Sequence, residues 1–338
     1  MPLSTDFLTD PRTFCQTWVI KMPGDQQGGV GLQNEHATFL PEFTAKQMGH
    51  KFHVGYNIAA AGVEVCWHQY APGCLELVVR NSQYHLLLNG PPLTDWFRAY
   101  VLPWGIGKVA RMELPDQTAV VGANKVRAFF TAEMNGCAFL AAGNPTSPVV
   151  AHLNVNAITF NTQPAKDAEL DRMVTSALKL TRGGPNIGGL TGGVLHWKQP
   201  ANAAAPVPTL GNRLARSGGV YADTGAETAN FNQNIAANTA AQGRKFYNAP
   251  TTDIRLATMG VMNPGDNRWQ FFYQRNFCTN FATIKRIGAL GVVKNVFGDW
   301  RAPLHENYYA RIPGNEYILI WPIGAGIVNI PAHGDPTQ

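Results

Sequence analysis

The chain has 338 residues, of which 45% are hydrophobic and only 14% charged, which excludes a disordered chain and allows one large domain or two small ones. Its 34 Gly and 23 Pro favour short strands and irregular turns over long helices. The formal net charge of +5 comes without any basic block, so an acidic protein partner is as compatible with it as nucleic acid, and an ordinary, slightly basic surface is the simplest reading.

Residues 1–50 mix turn signals with short apolar pieces and predict no particular element. From residue 51 to about 101 the pattern becomes β-like. Strands are expected at 63–70, 74–81 and 83–88, separated by Ala71-Pro72-Gly73 and Asn81-Ser82 and closed by Asn89-Gly90-Pro91-Pro92. A second β stretch covers 118–131, rich in Val and Phe. Residues 137–142 and 149–155 flank the turn Gly143-Asn144-Pro145-Thr146-Ser147-Pro148 and read as a hairpin.

The helix pattern is strongest over 165–181, where Leu170, Met173, Val174, Ala177 and Leu178 recur at helical spacing. Pro164 suits its first turn, Asp167 and Glu169 complement its positive end, and Arg182-Gly183-Gly184 stops it. Residues 183–250, dominated by Gly, Ala, Asn and Pro, read as a surface excursion or an insertion with one weak helix near 227–242. Strands at 254–262 and 268–275, joined by Asn263-Pro264-Gly265-Asp266, precede a helix at about 279–291 and a final buried strand at 316–321. There is no internal repeat, and a single domain over 1–338 is expected.

The five cysteines, Cys15, Cys66, Cys74, Cys137 and Cys278, are odd in number, include no CxxC pair, and have no His at zinc-finger spacing. That argues against a complete disulfide framework and for work in a reducing compartment. The first residues lack the blocks of a secretory signal, and no apolar run reaches the roughly eighteen residues that a membrane span needs.

A cysteine nucleophile needs a base held close to it. In the expected hairpin, a loop at 143–146 sets Cys137 directly opposite His152. A loop at 144–147 sets Cys137 opposite Asn154 and makes His152 its diagonal neighbour on the same face. Cβ atoms in those relations lie roughly 5 to 8 Å apart. A three- or five-residue loop puts the pair on opposite faces. On pattern alone, a Cys in an apolar strand is usually a small core residue and a nearby His is usually structural.

The segment Thr131-Ala132-Glu133-Met134-Asn135-Gly136-Cys137, with His152 fifteen residues after the Cys, resembles the active-site block of the cytotoxic necrotizing factor and Burkholderia lethal factor deamidases. The resemblance covers roughly 30 of the 338 residues. In that family a small polar residue and a Gly precede the nucleophilic Cys, usually as Leu-Ser-Gly-Cys; this chain has Met134-Asn135-Gly136-Cys137. In the lethal factor branch a Thr six residues before the Cys orients the His through its main-chain oxygen, and Thr131 stands at that position.

The resemblance implies an α+β fold, a central β-sandwich of mixed sheets flanked by helices. It also implies a toxin or effector that converts a glutamine of a host protein to glutamate. Cys137 would be the nucleophile and His152 the general base, with the backbone around Gly136 and Cys137 as oxyanion donors and Asn135 in place of the family's Ser. No metal or organic cofactor enters the scheme. The expected partner is a host protein bearing a reactive glutamine, not nucleic acid or a membrane span. A monomer acting in the host cytosol after secretion or translocation is expected, with residues 183–250 selecting the target.

Other motifs give less. The Gly-rich stretches at 183–193 and 324–326 lack GxxxxGK[ST]. His50 with His53, and Cys66 with His68, have no third ligand at metal spacing, and His196, His305 and His333 are isolated. The run Trp269, Phe271, Phe272 and Tyr273 reads as a buried strand rather than a base-stacking platform. Two competing functions stand beside the deamidase. One is another thiol enzyme, a transglutaminase or a protease, although the few residues between Cys137 and Gly143 leave no room for a papain-type helix. The other is a non-enzymatic β protein such as an adhesin, lectin or phage structural component.

Overall fold

A computed structural model describes residues 2–22, 43–44, 54–81, 88, 92–105, 107–134, 137–155, 159, 162, 165, 169, 173, 213–216, 225–241, 244–246, 251–285, 304–312, 314 and 316–321. It is mostly β. Two short helices open the chain, α1 (Leu3–Thr9) and α2 (Pro11–Thr17), and a third, α3, runs Gly225–Ala241. The strands are β1 (Val19–Lys21), β2 (Phe43–Thr44), β3 (Val54–Ile58), β4 (Val63–Ala71), β5 (Cys74–Val79), β6 (Phe97–Leu102), β7 (Val109–Glu113) and β8 (Ala128–Thr131). They continue with β9 (Ala138–Asn144), β10 (Ser147–Leu153), β11 (Arg213–Arg216), β12 (Arg244–Phe246), β13 (Thr251–Met262), β14 (Trp269–Lys285), β15 (Leu304–Arg311) and β16 (Ile318–Trp321).

These strands form two mixed sheets. The larger, of ten strands, runs β1-β5-β4-β6-β8-β13-β14-β12, with β15 and β16 also paired to β14; the smaller, of six, runs β11-β9-β10-β7-β3-β2. The β1–β5, β6–β8 and β3–β7 pairs are parallel. One apolar core joins the sheets: Tyr100, Phe129, Leu256, Trp269, Phe271 and Tyr273 from the larger meet Ile58, Met112, Phe139, Ala141 and Val150 from the smaller.

Alternation along β8 explains why all four of its residues are buried. Phe129 enters the core between the sheets, and Phe130 enters a second core on the other face, under α1 and α2. There Phe7 packs within 5.4 Å, ring to ring, of Trp67 and Phe130. The second helix starts where Asp10 caps it, accepting from the Thr13 N–H at 3.0 Å, and Pro11 occupies its first turn.

The expected strands at 63–70, 74–81, 254–262, 268–275 and 316–321 correspond to β4, β5, β13, the first part of β14, and β16. The helix expected near 227–242 is α3. Two readings need correction. Residues 118–131 are not one β stretch, because a 3-10 turn at Gly122–Asn124 and an 80% exposed Val121 precede β8. The helix expected at about 279–291 is strand through Lys285, since β14 pairs with β13, β12 and β15 along its length. Thr279, Phe281, Thr283 and Ile284 are aromatic or β-branched, and that preference outweighs the weak helical spacing. The expected strand at 83–88 and helix at 165–181 lie almost wholly outside the described residues, as does most of the 183–250 excursion. No helix among the described residues is long and apolar enough to cross a membrane.

Candidate active site

The hairpin that carries the site is β9–β10. Asn144 pairs with Ser147, leaving Pro145 and Thr146 as the turn, and the ladder continues to Ala138 opposite Leu153. Continuing that register sets Cys137 opposite Asn154, with His152 the diagonal neighbour across from Phe139. This is the second of the two arrangements expected from sequence, reached with a tighter turn. Phe139 and Cys137 both belong to the core between the sheets, so the shared face of Cys137, His152 and Asn154 looks toward the larger sheet.

The Asn154 side-chain amide donates to the Cys137 sulfur at 3.1 Å. Its backbone N–H donates to the Lys108 carbonyl at 3.2 Å, which holds the residue at the end of the hairpin. Sequence reasoning placed Asn154 across from Cys137 but gave it no role. The register was the only signal that could have done so.

His152 is completely buried, and burial lowers its pKa from 6.5 to about 3. The imidazole is therefore neutral at any working pH. Its Nδ1 lies 2.8 Å from the Thr131 hydroxyl on β8, so the contact bridges the two sheets. The same hydroxyl donates to the Leu102 carbonyl at 3.1 Å. Thr131 has one hydroxyl proton, and if it goes to Leu102 the oxygen must accept from Nδ1–H. That tautomer leaves Nε2 with its lone pair, and Nε2 has no hydrogen-bond partner among the described residues. The side-chain route corrects the expectation that Thr131 acts through its main-chain oxygen. A hydroxyl on the inner face of β8 reaches across the core to the ring, with Phe129 beside it on that face.

Cys137 is 6% exposed, and none of the five cysteines is in a disulfide. Asn135 and Gly136, the other expected site residues, lie outside the described residues. His50, His53, His196, His305 and His333 have no described side chains, whereas Trp269, Phe271, Phe272 and Tyr273 are buried in β14 as expected. Among the described residues no group of three His, Cys, Asp or Glu could hold a metal ion. The arrangement thus consists of a buried thiol, an amide donor on its sulfur, and on the same face a neutral imidazole whose tautomer a hydroxyl fixes and whose Nε2 is not hydrogen-bonded to the sulfur. No protein-family model matches the chain, and no curated protein sequence matches it.

Proposed function

We propose that the protein is a thiol hydrolase of side-chain amides, converting a glutamine of a partner protein to glutamate, with Cys137 as nucleophile and His152 as base. The observation that carries the reading is the Thr131 hydroxyl, which takes up Nδ1 of His152 and leaves Nε2 as an acceptor on the face that Cys137 shares. The resemblance of residues 131–152 to the necrotizing factor and lethal factor deamidases supports the same chemistry. A β-rich pair of mixed sheets around one core is compatible with the sandwich that this resemblance implies.

In this scheme Nε2 takes the thiol proton as the sulfur attacks the carboxamide carbon. A dry imidazole holds a proton poorly, but the thiolate forming beside it supplies the opposite charge that makes the imidazolium tolerable. The tetrahedral oxyanion is met by the backbone N–H groups at Gly136 and Cys137, with the Asn154 amide stabilising the sulfur. Collapse breaks the C–N bond, and His152 returns the proton to the departing ammonia. Water then hydrolyses the thioester, leaving a carboxylate and the free thiol.

Intact-mass measurement of glutamine-bearing proteins incubated with the wild type and with Cys137→Ser tests the reaction. A gain of about 1 Da that requires Cys137 is expected from hydrolytic loss of the amide nitrogen. A transglutaminase would instead add the mass of a supplied amine less ammonia. The second reading is a purely structural Cys–His pair, and the complete burial of His152 favours it. Under that reading no mass changes, and Cys137 alkylates at the same rate when His152 is replaced by Ala.

A further inference from the structure

One short segment, residues 131–137, carries the hydroxyl that holds the base at its start and the nucleophile at its end. Phe130 pairs with Met259 and Met134 with Leu256, so four steps on one strand face three on the other. The extra residue is a bulge, a device that re-aims side chains. Here it keeps Met134 in the core between the sheets while Glu133 turns to other partners.

The Glu133 side chain is 4% exposed, and its Oε2 lies 2.7 Å from Arg255 Nη1. Tyr309 donates its hydroxyl to the same oxygen at 3.1 Å. Lys21 adds positive charge nearby. Immediately after Glu133, the Met134 N–H donates to the Leu256 carbonyl at 3.1 Å, and the Met134 carbonyl accepts from the Leu256 N–H at 3.0 Å. The segment is thus fastened to β13 three residues before the nucleophile. Backbone pairing alone would fasten it. A buried carboxylate is a costly addition whose return is directional: it settles only where both Arg255 and Tyr309 can reach it.

We propose that Glu133, clamped by Arg255 and Tyr309, is a positioning residue that sets Cys137 against its base. The inference rests on the thiol reading above. It is tested by iodoacetamide alkylation of the full chain at neutral pH, with all five cysteines resolved by peptide mapping. In Glu133→Gln the rate at Cys137 falls by about tenfold or more, because the help of the base is lost. Tyr309→Phe, which removes one hydrogen bond, gives a smaller fall and covers the case in which Glu133→Gln does not fold. Arg255→Lys keeps the ion pair and most of the rate. The other four cysteines stay unreactive throughout.

The proposal is overturned if Cys137 in Glu133→Gln and Tyr309→Phe reacts as in the wild type while His152→Ala slows it. It is also overturned if all five cysteines gain reactivity together, which marks a loosened fold. If His152→Ala leaves Cys137 unchanged, the thiol reading itself fails and the clamp falls with it.

Discussion

Burial penalises the imidazolium of His152, and its pKa falls to about 3. Between that value and the unfolded value near 6.5, the unfolded chain binds a proton that the folded chain refuses. The stability tied to neutral His152 is therefore full above about pH 6.5 and drains away as pH falls toward 3. The thermal midpoint should decline across that window, and His152→Gln should flatten the decline; an unchanged slope would show that the ring is not buried neutral. Asn154→Ala removes the donor 3.1 Å from the sulfur, a hydrogen bond to a forming thiolate, and is expected to lower kcat about 10- to 100-fold with little change in KM. Steady-state ammonia release from a glutamine-bearing substrate checks it. Cys137, His152 and Thr131 were legible because they share one local block. Glu133 and Arg255 were not, because 122 positions separate them and no local pattern links a buried ion pair across that distance.

At the scale of elements, the hairpin was legible because Gly143-Asn144-Pro145-Thr146 marks a turn and period-2 alternation fixes which residues share a face. Its register, and so the pairing of Cys137 with Asn154, needed the exact turn, which composition leaves open. The long β14 was half legible. Its aromatic first part reads as a buried strand, whereas its second part is held as strand by three partners distant in sequence. Packing between these elements is tight where Gly260 of β13 lies between Phe271 of β14 and Phe129 of β8. A Cβ added at Gly260 would lie 2.6 Å from Phe271 Cδ1 and 3.2 Å from Phe129 Cβ. Gly260→Ala should therefore cost about 1–3 kcal/mol through overpacking, read as a lower denaturant midpoint. A change within a few tenths of a kcal/mol would mean that the rings shift freely.

Across the whole molecule, the Gln274 side chain is one of the groups that stitch the end of the N-terminal helices to the large sheet, beside Asn276, which donates to the Ile20 carbonyl at 2.9 Å. Gln274 accepts from Ile20 N–H at 2.7 Å and donates to the Cys15 and Trp18 carbonyls at 2.7 and 2.8 Å. Gln274→Leu leaves those buried groups unpaired at a cost of about 1–3 kcal/mol each, and limited proteolysis should then cut first near residues 15–20. The β-rich class was legible from Gly and Pro content, but this N-terminal attachment was not, because its partners lie far apart in sequence. The site is likewise a property of the assembled whole, since His152 belongs to the small sheet and Thr131 to the large one. Nitrogen NMR of the His152 ring tests that assembly most directly. The account predicts a proton on Nδ1, a bare Nε2 that stays bare to below pH 5, and a shift of the Nε2 signal when Cys137 is alkylated. A proton on Nε2 at pH 7, or a ring signal indifferent to Cys137, would contradict it.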